Sequence, residues 1–189
     1  MYQAVSRRKR LNDYPVLGID PSTVSTGIAM ISGSTTRGTT LKSYSLIKLK
    51  GSIIERVGAF YKSLYETILN NQVSCIALET PFVGRNIATY GKLSMLRGAV
   101  YVLASQFNIR VVELPPTKVK QLVTSKGGAT KQEVAQALRK RYNGLPDKLS
   151  DDITDAIGVA YAGLIELKYR RCCGEKEKKG NKRKKNTRI

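Results

Sequence analysis

Val16-Leu17-Gly18-Ile19-Asp20-Pro21-Ser22-Thr23 is an apolar run that stops on a carboxylate. Uninterrupted apolar residues closed by Pro and Ser predict a central strand buried on both faces, with Asp20 where the strand meets solvent. Strand ends of this kind are where α/β sheets do their chemistry. Val73-Ser74-Cys75-Ile76-Ala77-Leu78 repeats the design, ending on Glu79 with Pro81 beyond. Two such strands side by side would bring both acids to one end of a sheet. A third source is Asp151-Asp152-Ile153-Thr154-Asp155, which opens an apolar helical pattern. Asp152 and Asp155, at i and i+3, share a helix face with Cβ atoms about 5–6 Å apart.

Working outward, Thr26 to Ile31 predicts a second strand and Leu41 to Leu49 a more exposed third, joined as an antiparallel meander. Ile53, Ile54, Val57, Phe60, Tyr61, Leu64 and Ile68 recur at helical spacing. They predict a crossover helix, so the Glu79 strand should lie parallel to a neighbour, the first strand being the natural one. Phe82 to Ala88 reads as a loop, followed by a helix through Leu93, Leu96, Val100 and Leu103, then a strand from Ile109 to Leu114 closed by Pro115-Pro116. A short helix from Thr117 to Val123, a Gly127-Gly128 break and a helix from Thr130 to Tyr142 capped by Thr130 come next. Ser150 caps the last helix, which runs to Leu167. The fold class expected is α/β: a mixed sheet of three antiparallel strands plus two parallel ones, flanked by helices.

The chain has 189 residues and a net charge of +19, from 33 Lys and Arg against 14 Asp and Glu. That length suits one domain with tails. Residues 1–13 carry +3 and residues 168–189 carry +9, neither with apolar periodicity. The expected organisation is a basic flexible arm over 1–13, a folded domain over 14–167 and a basic flexible tail over 168–189. A polyanionic partner follows, and nucleic acid outranks membrane because no long apolar or strongly amphipathic basic helix is present. Tails that only maintain solubility are the plainer alternative. The absence of His excludes Ser-His and Cys-His catalysis and a His-based metal site. Three cysteines, with neither metal-ligand spacing nor a disulfide framework, fit a reducing, cytoplasmic compartment. An organellar transit peptide is the other reading of the Arg-rich opening, which is short and weakly amphipathic.

Asp20, Glu79, Asp152 and Asp155 offer only oxygen donors, the set that hard cations such as Mg²⁺ take. Two ions about 4 Å apart, bridged by such carboxylates, can generate a hydroxide and stabilise the leaving oxygen in phosphodiester hydrolysis. Crowded acids also need the cations, since they repel one another and would repel DNA. Singly, each acid has an ordinary explanation as a turn opener, a solvent-facing strand end or a helix cap. Their conjunction carries the reading. Lys118, Lys120, Lys126 and Lys131 flank the Gly127-Gly128 break, and Arg85, Lys92 and Arg97 follow the Glu79 strand. Cations so placed would hold a phosphate backbone, with a solvated basic face as the alternative. Phe82 can stack on an unpaired base or pack beneath its own loop.

Gly18-Ile19-Asp20-Pro21 with Thr26-Gly27, Glu79 followed by Phe82 and Asn86, Arg97-Gly98, Lys120-Gln121, Lys131, and Asp152-x-x-Asp155-Ala156 fall in one order between about residues 15 and 165. In that order they resemble the RuvC family of Holliday-junction resolvases, members of the ribonuclease-H-like superfamily. The resemblance implies a ribonuclease-H-like fold in a homodimer that binds a four-way DNA junction and nicks two opposing strands symmetrically with Mg²⁺ or Mn²⁺. It implies metal-ligand roles for Asp20, Glu79, Asp152 and Asp155, and a wedging or stacking role for Phe82 with Asn86 beside it among the DNA contacts. Lys120 and Lys131 would face the scissile phosphate.

Ser22 stands where the family usually has Gly, and the His that some bacterial relatives carry in the last motif is absent. Both basic tails exceed the usual bacterial length, which would suit a bacteriophage or viral member with looser branch specificity. Three other readings stay open. A ribonuclease or transposase of the same superfamily would use similar acids. An actin-like kinase would need a second such lobe. A binding-only protein would shield branched DNA without cutting it.

Overall fold

A computed structural model describes residues 15–34, 38–80 and 87–172. In chain order the elements are β1 (Val16–Asp20), β2 (Ser25–Ser34), β3 (Gly38–Lys48), α1 (Ile53–Asn71), β4 (Cys75–Glu79), α2 (Ile87–Gln106), β5 (Arg110–Leu114), α3 (Pro116–Thr124), α4 (Lys131–Arg141) and α5 (Asp151–Cys172). The strands form one sheet in the order β3-β2-β1-β4-β5. β1 to β3 are the antiparallel meander, while β4 pairs parallel with both β1 and β5. Both parallel pairings follow from helical crossovers, which a parallel partner requires.

Side chains alternate across each strand, so the continuous apolar runs of β1 and β4 feed two cores. Val16, Cys75, Ala77, Val112 and Leu114 face α3, α4 and α5. Leu17, Ile19, Ile76 and Leu78 face α1 and α2, against Phe60, Leu64, Leu96, Val100 and Leu103. On the first face α5 lies so close to β1 that a Cβ at Gly18 would overlap the Ala156 carbonyl and the Ala160 amide. The backbones can meet there only because Gly18 has no side chain.

Local signals set the helix starts. Ser52 and Glu55 form a capping box on α1, and Thr130 and Glu133 form one on α4, each satisfying otherwise unpaired amides at the helix N-terminus. Pro115 and Pro116 open α3, where a missing N–H costs nothing.

Several boundaries differ from expectation, among them β2, which runs on to Ser34 rather than stopping at Ile31. β3 begins at Gly38 rather than Leu41, extending an edge strand whose polar face tolerates water. α2 already includes Ile87 and Ala88, expected as the end of a loop. α5 continues to Cys172, so helix extends into the stretch from 168 expected to be flexible tail. Charged residues are good helix formers, and charge alone does not end a helix. The basic arm, Phe82, Arg85, Asn86 and residues 173–189 lie outside the described residues. None of the described helices is long and apolar enough to cross a membrane.

Candidate active site

β1 and β4 are in parallel register, Ile19 opposite Leu78, so Asp20 and Glu79 end neighbouring strands at the same edge. Asp20 has the parity of Val16 and Gly18, and Glu79 that of Cys75 and Ala77, which puts both acids on the face that α5 covers. α5 begins at this edge. The Ile153 amide donates to Ser150 Oγ (3.4 Å) and the Thr154 amide to the Ser150 carbonyl (3.0 Å), so Ser150 starts the helix as its sequence position predicts. Two contacts from β2 hold that first turn in place. Gly27, opposite Asp20 in the ladder, lies so near Asp152 that a Cβ would overlap its carbonyl oxygen. Ser25 Oγ donates a hydrogen bond to Asp152 Oδ2.

The acids act on one another. Burial, then the charges of Asp155, Glu79 and Asp152, push the Asp20 carboxyl up from 3.8 to about 7, with Lys131 opposing. Glu79 is also raised, first by burial and then by Asp155, while Lys120 and Lys131 pull it down. Asp155 is raised by burial, against the pull of Lys131. The Lys131 Nζ lies 3.5 Å from Asp155 Oδ2 and 3.2 Å from Asp151 Oδ2. Asp155, foremost among these partners, holds the ammonium above its ordinary range. Asp20, Glu79, Asp152 and Asp155, supplied by β1, β4 and α5, are thus gathered at one edge with Lys120 and Lys131 beside them.

Among the described residues no three acidic or cysteine side chains are closed into a ready metal cage. An open, oxygen-only donor set suits a hydrated hard cation. Such ions keep several waters and take substrate phosphate oxygens as further ligands. The chemistry open to this edge is therefore divalent-ion binding next to a phosphate.

The other cations scatter. Lys126 pairs loosely with Glu133 (3.6 Å) on the exposed start of α4, Lys118 is half-buried on α3, and Lys92 is exposed on α2, across the sheet from the acids. Arg97, expected among the DNA contacts, is turned into the protein. Its side chain is 8% exposed, and its guanidinium is bonded to Glu113 Oε1 (2.8 Å) and to the Glu79 carbonyl (2.8 Å). A buried guanidinium must be paired, and Glu113 arrives from β5, a neighbour that sequence spacing does not reveal. Ser25 also escaped the sequence reading, since its partner Asp152 is 127 positions away. A Ser two positions before the Gly27 that admits α5 is the one local hint.

A mixed sheet of this order and these strand directions, with acids at the β1/β4 edge and on the last helix, defines the ribonuclease-H-like class of α/β proteins. Residues 16–162 match the family model for crossover junction endodeoxyribonuclease RuvC. The chain is 36% identical over 152 residues to the RuvC of Chlorobium phaeovibrioides, covering 79% of this chain and 80% of that one. It is 38% identical over 154 residues to the RuvC of Pelodictyon phaeoclathratiforme, covering 79% of each. A solved structure of T. thermophilus RuvC in complex with Holliday junction substrate superposes with a TM-score of 0.77 at 24% identity, covering 82% of this chain and 96% of that one. The chain belongs to the RuvC family of crossover junction endodeoxyribonucleases.

Proposed function

We propose that the protein is a divalent-metal-dependent endodeoxyribonuclease that resolves four-way DNA junctions by paired, symmetric nicks. The observation that carries this reading is the convergence of Asp20, Glu79, Asp152 and Asp155 on one edge beside Lys120 and Lys131. Family membership supports the substrate, since the curated relatives are named crossover junction endodeoxyribonucleases.

The four acids would hold two Mg²⁺ ions, with Mn²⁺ able to substitute. When bound, such ions supply an activated water and stabilise the leaving oxygen of the phosphodiester. The remaining work belongs to the chain. Ser25 would orient the Asp152 carboxylate through its hydrogen bond to Oδ2. Lys131 bridges to Asp155 while exposing its ammonium, so it can exchange a carboxylate partner for a phosphate oxygen. Lys120 lies close enough to act on Glu79 and would grip the backbone from the other side. The basic tail adds affinity that carries no sequence information.

The described residues carry one such site, so symmetric nicking requires a second copy related by a two-fold axis. α2 offers the face for it. Ile87, Met95 and Val102 are 78%, 54% and 52% exposed, and Gly91 and Gly98 between them have open space beside them. Residues 87, 91, 95, 98 and 102 repeat at three and four, the spacing of a helix pairing with its twin, and the glycines permit close approach. The deciding experiment incubates purified protein with a labelled four-way junction and Mg²⁺, next to linear duplex and an RNA–DNA hybrid. Symmetric nicks on the junction support the reading. Preferential cleavage of the hybrid, or an intact junction, refutes it.

A further inference from the structure

Arg97 and its partners link the outer face of α2 to the acidic edge. The Nη1 group donates to the Glu79 carbonyl (2.8 Å), and Nη2 to Glu113 Oε1 (2.8 Å) and to the Tyr101 hydroxyl (3.3 Å). The Tyr101 hydroxyl in turn donates to the same Glu113 oxygen. Arg97 and Tyr101 are one turn apart on α2, and Glu113 stands on β5 opposite Leu78, the residue before Glu79. From the same side the Thr80 amide donates to the Leu114 carbonyl (2.8 Å).

We propose that Arg97, Glu113 and Tyr101 form a positioning triad whose task is to fix the end of β4, and so to aim the Glu79 carboxylate at the ion site. The inference rests on the functional reading above and adds residues that reading does not use. A strand end is where a backbone frays, and Glu79 is the last residue of its strand. Arg97 anchors that residue by its main chain, leaving the side chain free to face α5. Glu113 neutralises the buried guanidinium and orients it, and Tyr101 closes the fork on the exposed side. Lys could not replace Arg97, because the task requires one planar group to reach a carbonyl and a carboxylate at once. Gly98 and Val102, next to Arg97 and Tyr101, lie on the exposed stripe of α2. A second copy packed there would press on the helix that holds Glu79, tying its aim to assembly.

The test uses the full chain with Glu113→Gln and Arg97→Gln. Three quantities are measured on each: four-way junction affinity over a salt series, single-turnover nicking across a Mg²⁺ titration, and Mn²⁺ binding to DNA-free protein by electron paramagnetic resonance. Both variants should bind the junction within about twofold of wild type, with the same salt slope. Both should need more ion, and nick about tenfold more slowly or worse at limiting ion, the usual cost of losing a group that orients a ligand. A mere loss of folding stability would leave the Mn²⁺ midpoint of the folded protein in place. The triad is refuted if Glu113→Gln leaves that midpoint unmoved. It is equally refuted if Arg97→Gln weakens junction binding and lowers the salt slope by about one, the mark of a phosphate contact. If wild type nicks no junction, the functional reading fails, while the Mn²⁺ titration of Glu113→Gln still judges the triad.

Discussion

Replacing Asp20 with Asn should stabilise the metal-free protein at neutral and alkaline pH while abolishing nicking. Asp20 is pushed from 3.8 to about 7 in the folded state, chiefly by burial and then by Asp155, Glu79 and Asp152. A raised carboxyl makes the folded state bind more protons than the unfolded one, so stability falls as pH rises. The contribution of the protonated group is complete below about pH 3.8 and lost as pH climbs through about 7. Three pH units correspond to about 4 kcal/mol in a dry site. With water at the sheet edge screening the acids, about 2 kcal/mol is the expected figure. Urea denaturation in EDTA at pH 4 and pH 8 measures it: Asp20→Asn and wild type should be near parity at pH 4, with the variant ahead by that amount at pH 8. Adding Mg²⁺ should close the gap by stabilising only the wild type, because ligands that bind the folded state add to its stability. A difference between the two proteins that is the same at both pH values would refute the account of a strained acid cluster.

Gly27→Ala should cost about 1–3 kcal/mol in denaturant unfolding, because its methyl would overlap the Asp152 carbonyl and push α5 off the sheet. Ser25→Ala should slow nicking in single-turnover assays while changing stability by no more than about 1.5 kcal/mol, since it removes one hydrogen bond, the one that orients Asp152. Lys131→Met should weaken junction binding and reduce the slope of log affinity against log salt by about one in a fluorescence titration. Met95→Glu on the exposed stripe of α2 should give a monomer by sedimentation that no longer makes paired nicks.

Much of the architecture was legible because buried parallel strands carry no polar residue until they end, so the acids at positions 20 and 79 announced themselves against apolar runs. Thr130, Ser150 and the Pro115-Pro116 pair were readable for the same local reason: caps and breakers act within one turn. The Ser52-x-x-Glu55 capping box is legible in the same local way. What stayed hidden depended on distance along the chain. Nothing near Arg97 says that a β5 carboxylate will claim it, so the local sequence shows the cation and not its partner. The Ser25 bond to Asp152 likewise exists only once α5 has docked.

The docking of α5 also orders events in time. Ribosomes release the amino-terminal half first, so a nascent polypeptide can assemble the strands bearing Asp20 and Glu79 before Asp152 and Asp155 have been translated. Until α5 settles against Gly18, that side of β1 is uncovered and the acid set is incomplete. A nascent chain whose α5 has yet to emerge therefore lacks two of the four carboxylates gathered at this edge.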